Sequence, residues 1–244
     1  MTAMIEVRDL SIGYSGVPLL RGLTFDVADG DVFVILGGSG CGKSTLLRHL
    51  IGLEPPIAGA IHFACGKPEL VGAAPTFGVL FQSGALFGSM TLAQNVALPL
   101  QKWTGLDALA IDTIVRAKLR LVGLEGYENH LPAEISGGMK KRAGIARAMA
   151  LDAPLLFLDE PSAGLDPVTS AELDALILAL NASLGVTVVI VSHELASIFA
   201  IGQHCIMLDK TAGGIIARGN PVELRDHSDD PRVAAFFKRQ PIAA

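Results

Sequence analysis

The stretch VFVILGGSGCGKST, residues 32–45, decides the fold class of this 244-residue chain. Its first five residues are apolar and predict a buried strand; the rest has the form GxxxxGK[ST] and runs into a helical pattern at 46–50. In that setting glycines let successive backbone N–H groups point at phosphate oxygens, and the helix adds the positive end of its dipole. The stretch therefore predicts a phosphate-binding loop between a strand and a helix.

Every residue of this loop is a candidate ligand for the phosphates of a nucleotide. Lys43 is expected to reach the β- and γ-phosphates, and the Ser44 hydroxyl to bind Mg²⁺. Because Cys41 lies inside the loop, alkylation of its thiol is expected to block activity, with ATP protecting. The predicted nucleotide-binding residues of the loop are Gly37, Gly38, Ser39, Gly40, Cys41, Gly42, Lys43, Ser44 and Thr45.

Short apolar or β-branched runs on both sides of the loop predict a mostly parallel sheet. Helical patterns separate the later runs, and strands that alternate with helices form parallel sheets covered on both faces. The runs lie at 5–7, 32–36, 76–81, 155–158, 187–191 and 205–208.

The amino-terminal part of the chain predicts a separate antiparallel β layer. Its three segments lie near Ile5 and at 23–27 and 61–63. Turn-forming residues separate segments of this kind and favour antiparallel pairing. The turn residues are Asp29-Gly30 and Ala58-Gly59.

Between about 83 and 150 the strand signal disappears and a helical pattern replaces it. Arg116 and Arg120 fall off an apolar stripe that has helical spacing. The stripe consists of Ile111, Ile114, Val115, Leu119 and Val122. This segment is predicted to be an inserted helical subdomain.

Composition excludes several classes of protein. The 19 Lys and Arg against 24 Asp and Glu give a net charge of −5, which argues against a surface built to hold nucleic acid. Apolar stretches are broken well short of the ~20 residues needed to span a bilayer, and the amino terminus has no signal-peptide core. Three scattered cysteines, Cys41, Cys65 and Cys205, fit a reducing compartment. A cytosolic location is expected.

Two adjacent acids follow the apolar run at 155–158. A buried strand delivers such carboxylates to the carboxyl edge of a parallel sheet, where ligands bind. Asp159 is then placed to hold Mg²⁺, and Glu160 to orient and polarise an attacking water. An acid pair after a strand is usually a solvated cap, but beside a phosphate-binding loop it predicts a hydrolysis site.

Ser136, Gly137 and Gly138 precede a helical stretch at 140–150. A Ser-Gly-Gly step at a helix start presents unpaired N–H groups and a hydroxyl, which together form a good anion seat. With this signature the sequence resembles ABC ATPases over essentially its whole length, because the landmarks of that family stand in the right order. They are Tyr14, the phosphate-binding loop, Gln82, the Ser136–Gly138 signature, the Asp159-Glu160 pair, Asp166 and His193.

The resemblance implies a role for each of these residues. Two copies of an ABC ATPase face head to tail, so Ser136 and Gly138 would contact the γ-phosphate of a nucleotide held by the partner. Tyr14 would stack on adenine, and Asp166 would cross the dimer interface. Gln82 would contact Mg²⁺ and the attacking water and report to the membrane domain, while His193 would bond the γ-phosphate and hold the water.

The finer resemblance is to ATPases of the Mla/Mce type, which drive phospholipid or other lipid trafficking between bacterial membranes. It rests on FQSGALF at 81–87, SGGMKKR at 136–142, LDPVT at 165–169 and DPRV at 230–233. The segment 66–75 departs from that group because it lacks basic, helical character. The resemblance implies a multi-pass permease, an MCE-domain lipid-binding protein and a small STAS-domain protein as partners. It also implies a peripheral position on the cytoplasmic side of the inner membrane.

The whole chain, 1–244, is therefore expected to be one α/β domain with the P-loop NTPase fold of ABC ATPases. Residues 1–82 and 151–220 would form a RecA-like core with the antiparallel layer, and 83–150 the helical subdomain. The tail, 221–244, carries adjacent Phe236 and Phe237, which are expected to pack on another surface. Alternatives are the ATPase of another importer-type ABC transporter, a soluble ABC protein without a permease, and a degenerate, non-catalytic cassette.

Overall fold

The computed structural model describes residues 2–66 and 74–240 of the chain. The strands are β1 Ala3–Tyr14, β2 Val17–Ala28, β3 Val32–Gly37, β4 Ala58–Phe63, β5 Gly78–Leu80, β6 Leu155–Asp159, β7 Thr187–Val191, β8 His204–Asp209 and β9 Gly214–Gly219. The helices are α1 Lys43–Leu50, α2 Leu92–Trp103, α3 Ala108–Leu121, α4 Gly137–Ala148, α5 Pro167–Leu184, α6 Leu195–Ile201, α7 Pro221–His227 and α8 Pro231–Lys238. Across the described ranges, no helix has both the length and the apolar character that crossing a bilayer requires.

The larger sheet has the strand order β5-β6-β7-β3-β8-β9. The first five strands in that order are parallel, and β9 pairs antiparallel with β8. In β3, Val32, Val34 and Leu36 join a core cluster shared with the helical subdomain, whereas Phe33 and Ile35 join a second cluster under the antiparallel layer. Both faces of the sheet are therefore covered, as a parallel sheet requires, and the predicted fold class is confirmed.

The antiparallel layer has the order β2-β1-β4 and is also confirmed. The prediction of a turn at Ala58-Gly59 is wrong, because both residues lie in β4. Gly59 has a φ of 82°, and a Cβ there would lie 2.3 Å from the carbonyl oxygen of Asp9. The register of β1 against β4 shifts nearby, between Arg8 and Ser11. Gly59 thus serves a bulge with close backbone approach rather than a turn.

The inserted segment folds into helices, as its periodicity predicts. On α3, Val115 and Leu119 are buried, and Arg116 and Arg120 face the solvent. The helix predicted from 140 onwards begins earlier, at Gly137, because the Ser136 hydroxyl caps α4 by accepting a hydrogen bond from the backbone of the first turn.

The two edge strands of the larger sheet and the carboxyl-terminal tail differ in detail from what the sequence periodicity predicts. The strand predicted at 76–81 is shorter, since β5 covers Gly78–Leu80, and β9 was not predicted. In α8, Val233 and Phe237 are buried, and the Phe237 ring lies 5.5 Å from that of Phe199, so the predicted packing of the tail is confirmed. Most of the segment 66–75 lies outside the described residues.

Candidate active site

In the loop between β3 and α1, the lysine side chain hydrogen-bonds back to the main chain of the loop. The Lys43 ammonium is buried and donates hydrogen bonds to the carbonyl oxygens of Gly37, at 2.8 Å, and Gly38, at 3.0 Å. An ammonium group has three donors, so one N–H remains for a ligand. The neighbouring Ser44 side chain is exposed and free to bind a cation or a phosphate oxygen.

Two glycines of the loop are required by their surroundings. A Cβ on Gly37 would lie 2.5 Å from both the Cys41 sulfur and the carbonyl oxygen of Leu208, and one on Gly42 would lie 2.9 Å from the Leu20 side chain. Both residues have positive φ, 146° and 104°, which glycine adopts at little cost. The loop is therefore held tightly against the sheet.

Cys41 points away from the loop interior. Its side chain is 3% exposed and belongs to the core cluster that includes Leu46 and Leu47. Burial raises the pKa of the Cys41 thiol, and Lys43 only partly opposes this shift. Because the thiolate is the nucleophile in alkylation, we expect alkylation of Cys41 to be slow, and the block of activity with protection by ATP stays a prediction. Its backbone, not its sulfur, faces the phosphate position.

Tyr14 lies beside the loop although it is 31 residues away from it in sequence. Its hydroxyl is 2.8 Å from the Thr45 hydroxyl. The ring itself is 49% exposed. An exposed ring anchored at the first turn of α1 is well placed to cover the base of a nucleotide whose phosphates sit in the loop.

One cavity of about 450 Å³ brings the loop together with the three predicted catalytic residues. This volume is in the usual range for a small-molecule site. The carboxyl ends of parallel strands β3, β6 and β7 deliver the loop, Glu160 and His193 to the same edge of the sheet. The predicted residues lining the cavity are Gly37, Gly38, Ser39, Gly40, Lys43, Ser44, Gln82, Glu160 and His193.

Glu160 is held in a strained conformation. Its φ of 47° lies in the left-handed region, which is costly for a residue with a side chain. Its N–H donates to the carbonyl oxygen of Val191 at 2.8 Å, and its carboxylate is 2.7 Å from Nδ1 of His193. The backbone strain thus aims a buried carboxylate at His193 and the cavity.

Two carboxylate oxygens at the site have no hydrogen-bond partner among the described residues. Asp159 Oδ1 and Glu160 Oε2 are buried and accept no hydrogen bond from any residue that the structure describes. Burial, followed by the charge of Glu160, raises the pKa of Asp159. Asp159 and Gln82 also line a second cavity beside the first. Buried carboxylate oxygens without donors suit a divalent cation or an ordered water, so these residues fit Mg²⁺.

The Ser136–Gly138 signature lies outside the main cavity. Ser136 Oγ accepts a hydrogen bond from the backbone of Met139 at 3.3 Å, and Ser136 and Gly137 are exposed. A Cβ on Gly138 would lie 2.4 Å from the Thr169 side chain, so glycine is needed for α4 to pack against α5. The signature presents a free helix N-terminus on the surface.

Asp166 caps the N-terminus of α5. Its carboxylate accepts hydrogen bonds from the backbone N–H groups of Val168 and Thr169, both at 3.0 Å, and from the Thr169 hydroxyl at 2.6 Å. The Thr169 hydroxyl bond is the main reason that the pKa of Asp166 is lowered. This capping role was not predicted, while the predicted contact across a dimer interface stays a prediction.

Four residues at or beside the site were missed by the sequence reasoning, and one of them is Leu195, which lines the main cavity. Phe236 and Arg239, from the end of α8, line the main cavity, and nothing in the local sequence indicates this. Lys141 lies on the buried face of α4, three residues after Gly138 and three before Gly144. The pattern of a lysine among small residues on a buried helix face could have indicated Lys141 as a residue of the site.

The fold and this arrangement of donors and acceptors define a nucleoside triphosphatase of the P-loop class. A family model described as ABC transporter matches residues 20–163, which is more than half of the chain. The chain belongs to this family and is an ATP-binding, ATP-hydrolysing subunit of the ABC type.

Curated relatives cover nearly the whole chain. It is 41% identical to the probable ribonucleotide transport ATP-binding protein mkl of Mycobacterium leprae, over 99% of this chain and 71% of that protein. It is 39% identical to the intermembrane phospholipid transport system ATP-binding protein MlaF of Escherichia coli K12, over 96% of this chain and 88% of MlaF.

Solved structures share the fold. The cassette MJ0796, in a dimeric post-hydrolysis state bound to ADP and Pi, superimposes with a TM-score of 0.78 at 27% identity, covering 89% of this chain and 98% of that one. The cbiO1 subunit of the cbiONQ transporter from Clostridium perfringens gives a TM-score of 0.82 at 27% identity, covering 96% and 95%.

Proposed function

We propose that this chain hydrolyses ATP to energise the trafficking of phospholipids or other lipids by a transporter of the Mla/Mce type. The observation that carries the proposal is the 39% identity to MlaF, which extends over nearly all of both chains. A methionine import ATP-binding protein, MetN of Brucella abortus, is 37% identical over 90% of this chain but 60% of its own length. The ATPase of another importer-type transporter is therefore the second candidate.

The working unit is a head-to-tail homodimer. Ser136 and Gly137 of the signature are exposed at the start of α4, outside the cavity that holds Lys43 and Glu160. The signature's free N–H groups and helix dipole suit a terminal phosphate, and the related cassette MJ0796 forms dimers. Each protomer would then hold the nucleotide in its own loop and seat the γ-phosphate with its partner's signature.

Within one pocket the side chains divide the chemistry. Lys43 keeps one N–H free for the β- and γ-phosphates, as derived above. Because Nδ1 of His193 faces Glu160, its Nε2, on the far side of the ring, is available to the γ-phosphate. Glu160 would orient the attacking water with its unpaired oxygen.

Mg²⁺ would be held by Ser44, Gln82 and Asp159, and when bound it would neutralise charge that develops on the phosphates. Asp159 Oδ1 lacks a protein donor among the described residues, which supports its place in this set. Ser44 and Gln82 are both exposed to the main cavity.

We place the contact with the permease at an apolar groove beside Gln82. Leu53 and Phe81 are exposed apolar side chains, and they line an apolar groove of about 270 Å³ together with Pro99 and Trp103. Apolar surface of this kind marks contact sites on otherwise water-facing proteins. Since Phe81 directly precedes Gln82, movement of the segment around Gln82, here called the glutamine loop, would shift the groove against a permease helix lying there.

The remaining partners are proposed from the resemblance of the sequence to ATPases of the Mla/Mce type. We infer an MCE-domain lipid-binding protein on the far side of the membrane and a small STAS-domain protein beside the ATPase. The chain itself would sit peripherally on the cytoplasmic face of the inner membrane, with no role in binding nucleic acid.

Reconstitution tests the proposal. The chain is co-expressed with a permease and an MCE-domain protein of the Mla type, placed in liposomes that contain a fluorescent phospholipid, and supplied with ATP. We expect ATP-dependent movement of the labelled lipid, lost in the Glu160→Gln variant. ATP-dependent uptake of methionine or another small solute, without lipid movement, would overturn the lipid assignment and favour the second candidate.

A further inference from the structure

A buried lysine joins three parts of the site. Lys141, on α4, is 6% exposed. Its ammonium donates to the carbonyl oxygen of Gln82 at 2.6 Å and to that of Glu160 at 3.0 Å. The helix that begins with the signature is thus bonded to the main chain of both the glutamine loop and the water-orienting glutamate.

A buried ammonium group needs compensation, because removal from water is costly unless the charge is paired and hydrogen-bonded. Burial lowers the pKa of Lys141, while the nearby carboxylates of Asp159 and Glu160 oppose that shift. The two hydrogen bonds to carbonyl oxygens and the two nearby carboxylates therefore compensate for the burial of the Lys141 ammonium group.

The bond to Glu160 acts on the strained residue of the site. Glu160 keeps its left-handed backbone, with a φ of 47°, only while its surroundings hold it there. Val191 accepts its N–H, and Lys141 donates to its C=O. The two peptide groups that flank its side chain are fixed from opposite ends, which keeps the carboxylate pointing at His193.

The bond to Gln82 acts on the neighbouring strand. Gln82 follows β5 closely and Glu160 follows β6 directly, and these two strands are parallel neighbours. One ammonium therefore spans the carboxyl ends of both strands. It also connects them to α4, whose first residues would serve the partner's nucleotide rather than their own.

We propose that Lys141 is a positioning residue for hydrolysis, which fixes the main chain of Gln82 and Glu160 and couples them to the helix bearing the signature. This rests on ATP hydrolysis at the site described above, and not on which cargo is moved. Loss of the ammonium would let Glu160 relax from its strained conformation, and misplacement of a catalytic group by about 1 Å can slow a reaction by on the order of 100-fold.

A merely stabilising role is the alternative, and the chain offers a matched control. Lys118, on α3 of the same subdomain, is also buried, at 8% exposure, but its ammonium pairs with Asp152 away from the cavity. Lys118→Met and Lys141→Met remove the same group from comparably buried positions. Lys141→Arg keeps the charge and the donors, and Lys141→Gln keeps two N–H donors without the charge.

The experiment measures kcat and KM for ATP, together with the melting temperature, for the full chain and each variant. For Lys141→Met we expect kcat to fall at least tenfold with KM changed less than about twofold, partial recovery in Lys141→Arg, and near-normal kcat in Lys118→Met. If Lys141→Met does not fold, Lys141→Gln is held to the same criterion.

Normal kcat in Lys141→Met, with a melting temperature lowered as in Lys118→Met, would overturn the proposal. So would equal losses of kcat in the two Met variants. Because these readouts follow phosphate release alone, a failure of lipid transport in liposomes leaves them unaffected, and the two proposals can fail separately.

Discussion

Two helix N-termini in this chain use similar chemistry in opposite surroundings. At α1 the glycine loop, Lys43 and Ser44 line a cavity together with Glu160 and His193. At α4 the Ser136–Gly138 signature also offers N–H groups and a hydroxyl, but it lies outside that cavity, with Ser136 and Gly137 exposed. Each is an anion-binding site, yet the second does not line the cavity that holds the chain's own hydrolytic groups. This difference supports the proposal that one protomer carries two half-sites.

The largest effect is expected at the half-site that contains the phosphate-binding loop. Glu160→Gln keeps the size of the side chain but removes the charge that orients water, so hydrolysis should fall by on the order of 10³-fold while ATP binding persists. The ATP-bound dimer should then accumulate. Phosphate release and size-exclusion chromatography with ATP measure the two effects. Glu172→Gln, at an exposed pair with Arg142, is the control, and near-normal turnover in Glu160→Gln would refute its assigned role.

The next pair of variants separates the two half-sites directly. Lys43→Ala removes the ammonium group from the phosphate-binding loop and should weaken ATP binding at least tenfold. Ser136→Arg should leave binding to a single protomer nearly unchanged and abolish the ATP-driven dimer. Fluorescent-nucleotide titration and light scattering distinguish these outcomes.

Ser136→Arg also removes a helix cap, which costs about 1 kcal/mol. Asp107→Ala, which removes the cap of α3, controls for that loss and should dimerise normally. An unchanged nucleotide affinity in Lys43→Ala would show that the loop does not bind ATP as proposed. Normal ATP-driven dimers of Ser136→Arg would show that the signature is not needed for dimer formation.

The smallest effect concerns stability at the acid pair. Burial raises the pKa of Asp159, so its ionised form is disfavoured in the folded state. This penalty is absent below the ordinary carboxyl pKa and is fully present once pH exceeds the raised value. Asp159→Asn should therefore raise the melting temperature of the nucleotide-free chain by a few degrees at neutral pH and lose this advantage in acid.

Calorimetry between pH 3 and 8, without Mg²⁺, checks the Asp159 prediction. The same variant should lose Mg²⁺-dependent hydrolysis. An Asp159→Asn protein that is less stable than the parent at neutral pH would show that the carboxylate is well solvated or well paired, contrary to its orphaned oxygen.

Much of the fold and site could be predicted because the decisive signals are local. Apolar runs ending in a glycine loop or an acid pair determine both a strand and what its carboxyl end presents, as for Lys43 and Glu160. The direction of a side chain is less local. Cys41 lies within the loop, but its thiol packs in the core under the antiparallel layer, and this burial could not be predicted from its position in the sequence.

Contacts between distant segments were missed for a related reason. Lys141 meets Gln82 and Glu160 only because α4 packs across the ends of β5 and β6. Phe236 reaches the cavity only because α8 folds back onto α6. Neither consequence follows from periodicity, which assigns a buried face to a helix without naming what the face covers.

Two copies of the chain are proposed to complete each other's pockets, and a mixture of two inactive variants shows whether they do. Lys43→Ala and Ser136→Arg are each inactive alone, but a dimer of one with the other contains one site with an intact loop and an intact signature. Each mixed dimer should therefore hold one intact site out of two, and ATP hydrolysis should reappear. A mixture that stays as inactive as its components would show that loop and signature act within one chain, and would contradict the account.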